Sequence, residues 1–284
     1  MNMTDARPAP AVAAGPVRRR HDAFATLCQK AGHAVGRFKM IQEGDRILVG
    51  LSGGKDSFML MHVLTRLRER APVAFELVGV NIDFGFRGFR GEAFDAYCAR
   101  QGWHYERIRF PGKEILEEKL PAARPCSLCS RLRRGQLHAA ADRLGCNVIA
   151  LGQHLDDLCV SFLMSLFRGG GLKTMGPHVL ADGGRKRLIR PFCEAPERLI
   201  QEAVAAAAAG VGAADFGACD YLPAITQDGD RALLGQWLGD LDARFPAIRQ
   251  AMLQSMASVQ TEHLLDPRFL ALPPEGAGGG EFFL

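Results

Sequence analysis

Arg46-Ile47-Leu48-Val49-Gly50-Leu51-Ser52-Gly53-Gly54-Lys55-Asp56-Ser57 is the stretch that decides the fold. Its first half is a short apolar run bounded by a turn signal, the pattern of a strand buried on both faces. The run feeds a glycine-rich loop. From Ser57 to Arg68, Met59, Leu60, Val63, Leu64 and Leu67 then recur at helical spacing. A strand, a glycine loop and a helix in that order make an anion site. Glycines let the backbone come close to a phosphate, and the free amides of the helix start point at it. Lys55 adds a positive charge, and the hydroxyls of Ser52 and Ser57 can donate to phosphate oxygens. The loop is not a Walker A loop, which has four residues between Gly and Gly-Lys. Here three residues separate Gly50 from Gly54, and Asp56 follows the lysine. An acidic residue at that place suits a magnesium ion or a helix cap.

Working outward, apolar runs alternate with helical patterns. Strands are predicted at 46–51, 75–82, 104–108, 148–151 and 187–190. Helices are predicted at 21–38, 57–68, 92–100, 131–144 and 156–168. Such alternation predicts an α/β fold, a parallel twisted sheet with helices on both faces. Ligands of such sheets sit at the carboxyl ends of the strands, near the switch in strand order. Three loops fall there: 52–57, the turn at Asp83, and 152–157. Beyond Pro191 come an Ala-rich helix over 194–209, a Gly/Ala-rich linker over 210–218, and helices over 231–244 and 246–263. The expected organisation is a disordered tail (1–20), an N-terminal helix (21–44), the nucleotide domain (45–222), a C-terminal helical section (223–268) and a second disordered tail (269–284). The first tail ends in the basic cluster Arg18-Arg19-Arg20.

Composition bounds the partners. The 284 residues are 48% hydrophobic and 23% charged, ordinary for a globular chain. No run of about 20 apolar residues exists, so no membrane span is expected. A net charge of +4 and a pI near 8.7 permit a nucleic-acid partner without requiring one. Eight cysteines without a secretory signal argue for a reducing, cytoplasmic compartment rather than a disulfide framework.

Two of those cysteines form a motif. Pro125-Cys126-Ser127-Leu128-Cys129 precedes a basic helix beginning Ser130-Arg131-Leu132-Arg133-Arg134. Two thiolates at this spacing can share one metal centre, and a helix N-terminus favours the anionic form. A thioredoxin-like redox pair has the same spacing but not this context, since the motif follows a Pro-rich loop. Cys ligands alone do not choose between iron and zinc. Cys28, Cys98, Cys146, Cys159 and Cys193 fall in or beside helix and strand patterns and are expected in the core.

The loop SGGKDS resembles the PP-loop of the ATP pyrophosphatase superfamily. That resemblance implies an adenine-nucleotide alpha-hydrolase-like fold and adenylation chemistry, in which ATP gives AMP to a substrate oxygen and pyrophosphate leaves. With Cys126-Ser127-Leu128-Cys129-Ser130-Arg131-Leu132-Arg133-Arg134-Gly135, Gly152-Gln153-His154-Leu155-Asp156-Asp157, Phe167-Arg168-Gly169-Gly170 and Leu188-Ile189-Arg190-Pro191, the chain resembles the tRNA 2-thiocytidine synthetase family from about residue 22 to 268.

The resemblance implies a 4Fe–4S cluster on three ligands, Cys126, Cys129 and Cys219, with one iron left open. The family's usual following cysteine is Leu222 here. It also implies ATP contacts from Ser52, Gly53, Gly54, Lys55, Asp56, Ser57, Asp83, Gly152 and His154. Magnesium falls to Asp56 and Asp157, and catalytic roles to Lys55, Asp56 and Asp157. Either aspartate of the 156–157 pair can cap the following helix while the other binds metal, and Asp83 is either a ribose contact or a turn residue. Arg131, Arg133, Arg134 and Lys173 are expected to meet RNA, with Arg185, Lys186 and Arg187 as further candidates. The implied partners are tRNA, a sulfur donor such as a cysteine desulfurase, and a second copy in a homodimer.

Phe84-Gly85-Phe86-Arg87-Gly88-Phe89 departs from the family's more polar stretch, and residues 210–230 are also unusual. These departures keep two other readings open. One is the same chemistry, or sulfur removal, on another nucleoside or a small molecule. The other is a non-enzymatic iron–sulfur protein that binds RNA or senses redox state.

Overall fold

A computed structural model describes residues 22–119, 126–181, 184–206, 216 and 229–270. The expected tail 1–20, the linker over 210–218 apart from Phe216, Cys219 and residues 271–284 of the second tail lie outside the described residues.

Among the described residues six strands form one sheet: β1 (Asp45–Gly50), β2 (Phe75–Asp83), β3 (Tyr105–Arg109), β4 (Val148–Ala150), β5 (His178–Ala181) and β6 (Lys186–Ile189). Their order is β3-β2-β1-β4-β6-β5, parallel throughout except for the edge strand β5, which runs antiparallel to β6. The expected parallel strands are present. β5 was missed because Val179 and Leu180 lie exposed on the sheet edge, so the segment lacks the apolar run that marks a central strand. The strand order reverses between β1 and β4, which places a crevice there.

The described helices are α1 (Ala23–Arg37), α2 (Lys55–Arg68), α3 (Gly91–Arg100), α4 (Gly112–Lys119), α5 (Cys126–Arg143), α6 (Leu155–Phe167), α7 (Glu197–Ala206), α8 (Asp230–Arg244) and α9 (Ile248–Ala257). Alternate strand residues sort onto opposite faces, as the period of 2 requires. Ile47, Val49, Leu77, Val148 and Ala150 enter one core with α1, α2, α3 and α7. Leu48, Val78, Val80, Ile82 and Ile149 enter the other with α4 and α5. A third cluster joins Leu155, Cys159 and Leu163 of α6 to Leu234 and Leu238 of α8, with Met252 and Leu253 of α9 against it.

Two expectations shift. The helix expected from residue 131 begins at Cys126, so the cysteine pair lies inside its first turn, not before it. The aromatic stretch after β2 is core: Phe84 and Phe86 are buried and stacked with centroids 5.9 Å apart, packed with Leu116 of α4 and Leu137 of α5.

Under α2, Phe58 is fully buried against Phe94, Tyr97, Trp103 and Phe216. His62 sits one turn further on, 2.6 Å from the Tyr97 hydroxyl. Burial pushes its pKa down from 6.5 to about 4. Between those two values the unfolded chain binds a proton that the folded chain refuses. Stability from the neutral ring is therefore full above pH 6.5 and drains away as pH falls toward 4, by about 1–3 kcal/mol. The unfolding midpoint of the protein should fall more steeply between pH 7 and pH 4.5 than that of His62→Gln. Parallel falls would assign the loss to other groups.

Candidate active site

The phosphate loop closes on its own serines. The Ser52 amide donates to Ser57 Oγ at 3.1 Å, the Ser57 hydroxyl donates to the Gly54 carbonyl at 2.9 Å, and Gly54 N lies 3.4 Å from Ser52 Oγ. Gly53 takes φ +94°, a left-handed conformation that a side chain would strain. Helix α2 then starts without a side-chain cap, which leaves its first amides for a ligand.

The loop after β4 lies directly on this turn. A Cβ at Gly152 would stand 3.1 Å from the Asp56 carbonyl and the Ser57 amide, both backbone atoms. A side chain would crowd this approach, so glycine lets the two loops pack closely. Helices α6 and α7 also begin here. His154 precedes α6 and is buried, and its backbone amide donates to Asp157 Oδ2 at 3.3 Å. Asp156 turns the other way and accepts from Glu197 N, the first amide of α7, at 2.7 Å. Asp157 is thus the cap of its own helix, and Asp156 the cap of a neighbour.

Charge concentrates where these helix starts meet. Lys55 Nζ is 2.9 Å from Glu197 Oε1 and 3.2 Å from Asp56. Burial works against the charge on Lys55, but the Glu197 hydrogen bond and the charges of Asp56 and Glu197 outweigh it and raise its pKa. Burial likewise opposes ionisation of Glu197, and the Lys55 hydrogen bond overcomes it, so its pKa is lowered. Arg231 of α8 lies 3.2 Å from Asp157, and Arg249 of α9 lies 2.5 Å from Asp156. Four carboxylates, Asp56, Asp156, Asp157 and Glu197, therefore face three cations, Lys55, Arg231 and Arg249. Asp56 Oδ1 is buried and makes no hydrogen bond among the described residues, with Lys55 Nζ 3.2 Å away as an ion pair. A buried carboxylate oxygen in a site with more carboxylates than cations fits a divalent cation.

The other expected site residues divide. Asp83, at the end of β2, gives one oxygen to Arg107 at 3.0 Å and the other to the Gly85 amide at 3.0 Å, so both of its oxygens already have partners. Cys126 is exposed and Cys129 half-buried, both unbridged and three residues apart on α5, where i and i+3 share a face. Burial, with the charge of Cys129 behind it, pushes the Cys126 thiol up. Two reduced thiols on one accessible helix face fit soft metal ligands. Cys219, the third expected ligand, lies outside the described residues.

Arg131 and Arg134 are exposed on α5, whereas Arg133 is half-buried with its guanidinium 4.6 Å above the Phe84 ring. Lys173 is exposed in the glycine-rich turn after α6. Lys186 pairs with Asp142, and Arg187 with Asp45, at the amino ends of the strands, away from the loops.

Glu197, Arg231 and Arg249 were not legible as site residues. Each looks in sequence like a polar position on an ordinary helix. Arg190 belongs to the stretch Leu188-Ile189-Arg190-Pro191. It is buried after β6, where its guanidinium donates to Gln153 Oε1 and, at 2.5 Å, to the Gly176 carbonyl. Both acceptors are neutral, and burial pushes its pKa down to about 10.

Known proteins agree with this architecture. The profile of the PP-loop domain matches residues 25–209. The tRNA-cytidine(32) 2-sulfurtransferase of Citrifermentans bemidjiense is 37% identical over 253 residues, covering 86% of this chain and 94% of that one. Its counterpart in Geobacter sulfurreducens is 40% identical over 236 residues, covering 83% and 90%. The U34-tRNA thiolase NcsA from Methanococcus maripaludis, solved with its [4Fe-4S] cluster, shares the fold at a TM-score of 0.64 and 20% identity, covering 83% of this chain and 78% of that one. A PP-loop at the switch between β1 and β4, the cysteine pair at the head of α5 and this extent of identity place the chain in the tRNA-cytidine(32) 2-sulfurtransferase family.

Proposed function

We propose that the protein is an ATP-dependent tRNA thiolase that replaces O2 of a cytidine, at position 32 as in its named relatives, with sulfur. The observation that carries this reading is the meeting of three helix starts, α2, α6 and α7, around Lys55. Their positive dipole ends, with the uncapped amides of α2, favour a polyanion. The surplus of carboxylates there favours that polyanion arriving with magnesium.

In the first step, cytidine O2 attacks the α-phosphorus of ATP and pyrophosphate leaves, turning a poor leaving group into an AMP ester. Lys55 and the loop amides hold the departing charge, and Asp56 with Asp157 is assigned to the metal. Arg231 must then exchange its partner, since it occupies Asp157 before the nucleotide binds. In the second step, sulfur at the oxidation level of sulfide adds to C2 and AMP departs. Cys126, Cys129 and Cys219 are assigned to a 4Fe–4S cluster, which supplies the sulfur-handling chemistry when bound. Arg131 and Arg134 stand exposed on the same helix, suited to RNA phosphates. A cytidine must leave its stack to reach such a site, which favours a single-stranded loop as target. A desulfurase-type sulfur donor, a cytoplasmic setting and a homodimer complete the proposal. The burial of Phe84 and Phe86 supports the cytidine reading, because that aromatic departure serves packing beneath α5.

Lys55→Met should lower 2-thiocytidine by about a hundredfold or more, measured by mass spectrometry of tRNA from a deletion strain carrying the variant. Thiolation at the level of the unaltered protein would remove the assigned role. Anaerobically purified protein should hold about four irons per chain, and Cys219→Ala should lose most of them along with the visible absorbance. Zinc in their place would leave an adenylating enzyme with a different second step.

A further inference from the structure

Helices α8 and α9 lie beyond the matched PP-loop domain, yet they reach the phosphate loop through an unbroken set of contacts. Arg249 of α9 lies against Asp156 Oδ1 at 2.5 Å, as an ion pair rather than an aligned hydrogen bond. Its NH1 is braced by Asp242 of α8 at 3.2 Å. The other oxygen of Asp156 accepts from Glu197 N at 2.7 Å, which fixes the first turn of α7. Glu197, first residue of that turn, then holds Lys55 Nζ at 2.9 Å.

We infer that Arg249 is a positioning residue for Lys55, acting through Asp156 and Glu197 to set where the lysine stands and which anion it faces before a nucleotide arrives. The inference rests on ATP binding at the phosphate loop, as proposed above. Arg249 and Asp156 are largely shielded, at 16% and 21% side-chain exposure, so their attraction is less damped than at an open surface. Without Arg249, Asp156 would share a half-buried corner with Asp157 and Glu197, three like charges with one fewer cation. The relaxed arrangement turns Asp156 toward water, releases the Glu197 amide and frees α7 to shift. Lys55 then loses the nearer of its two carboxylates and keeps only Asp56. A residue that merely pins α9 would lower stability and leave Lys55 as it is.

The test is brief acylation of the nucleotide-free full-length protein with an amine-directed ester, with Lys55 labelling read by peptide mapping and ATP–Mg affinity measured in parallel. Arg249→Met should raise Lys55 labelling severalfold, as should Glu197→Gln, and weaken ATP–Mg binding by about three- to thirtyfold. Arg249→Lys, which keeps the charge, should restore most of both. Met252→Ala loosens the packing of α9 without touching the charged contacts, and it should label and bind like the unaltered protein. Unchanged Lys55 labelling in Arg249→Met overturns the inference, and so does a Met252→Ala variant that matches it. An unaltered protein that binds no ATP–Mg would remove the function proposed above, and the labelling comparison would still decide the relay.

Discussion

Three helices point their positive ends at one edge of the sheet, and the rest of the site follows from that electrostatic constraint. Free amides at the starts of α2, α6 and α7 need acceptors when no ligand is bound. The chain supplies them as carboxylates: Asp157 for α6 and Asp156 for α7. The start of α2 receives no side-chain cap. The uncapped start is the one beside Lys55, and it is therefore where an outside anion gains most. Capping two ends and leaving one open directs a phosphate to a single position without a dedicated pocket wall.

The carboxylates that cap the helices bring a surplus of negative charge, and this shapes the periphery. Arg231 and Arg249 offset part of it, which ties the C-terminal helices to the loop after β4. The apolar cluster between α6, α8 and α9 provides the attachment, and the arginines give it a definite register. On the opposite face of the sheet, the cysteine helix α5 rests on Phe84, Phe86 and Leu116. Arg133 lies over Phe84, leaving the exposed Arg131 and Arg134 as the arginines of that turn open to a large substrate. The nucleotide edge and the thiol pair thus belong to separate packing units joined through one sheet.

Much of this was legible in sequence because it is local. The run Ile47 to Leu51, the glycines after it and the helical spacing from Met59 fix a strand, loop and helix within a few residues of one another. Cys126 and Cys129 declare themselves by spacing. Residues whose roles depend on distant partners were not legible. Nothing near Glu197 in the chain predicts Lys55, which lies 142 residues away. Asp156 and Asp157 were recognisable as a cap and a metal candidate, but which helix each caps depends on where α7 is placed by the core. The edge strand β5 escaped notice because half-exposed strands carry weak apolar patterns, and α4 because an eight-residue helix with one buried leucine, Leu116, has little periodicity to read. The departure at Phe84 and Phe86 left the substrate open, since sequence position at a strand end does not reveal which way a ring points.

The loop from Gly152 to Asp157 carries a consequence for how such chains can diverge. Surface connections ordinarily accept insertions at small cost. This one is packed at its first residue against the backbone of the phosphate loop, and held at its last two by contacts to α7, α8 and α9. One added residue would turn Asp156 and Asp157 by about 100° around the axis of α6 and hand each of them the wrong neighbour. Length variation should therefore be excluded from this segment, and new substrate preferences must arise where the chain is not clamped at both ends.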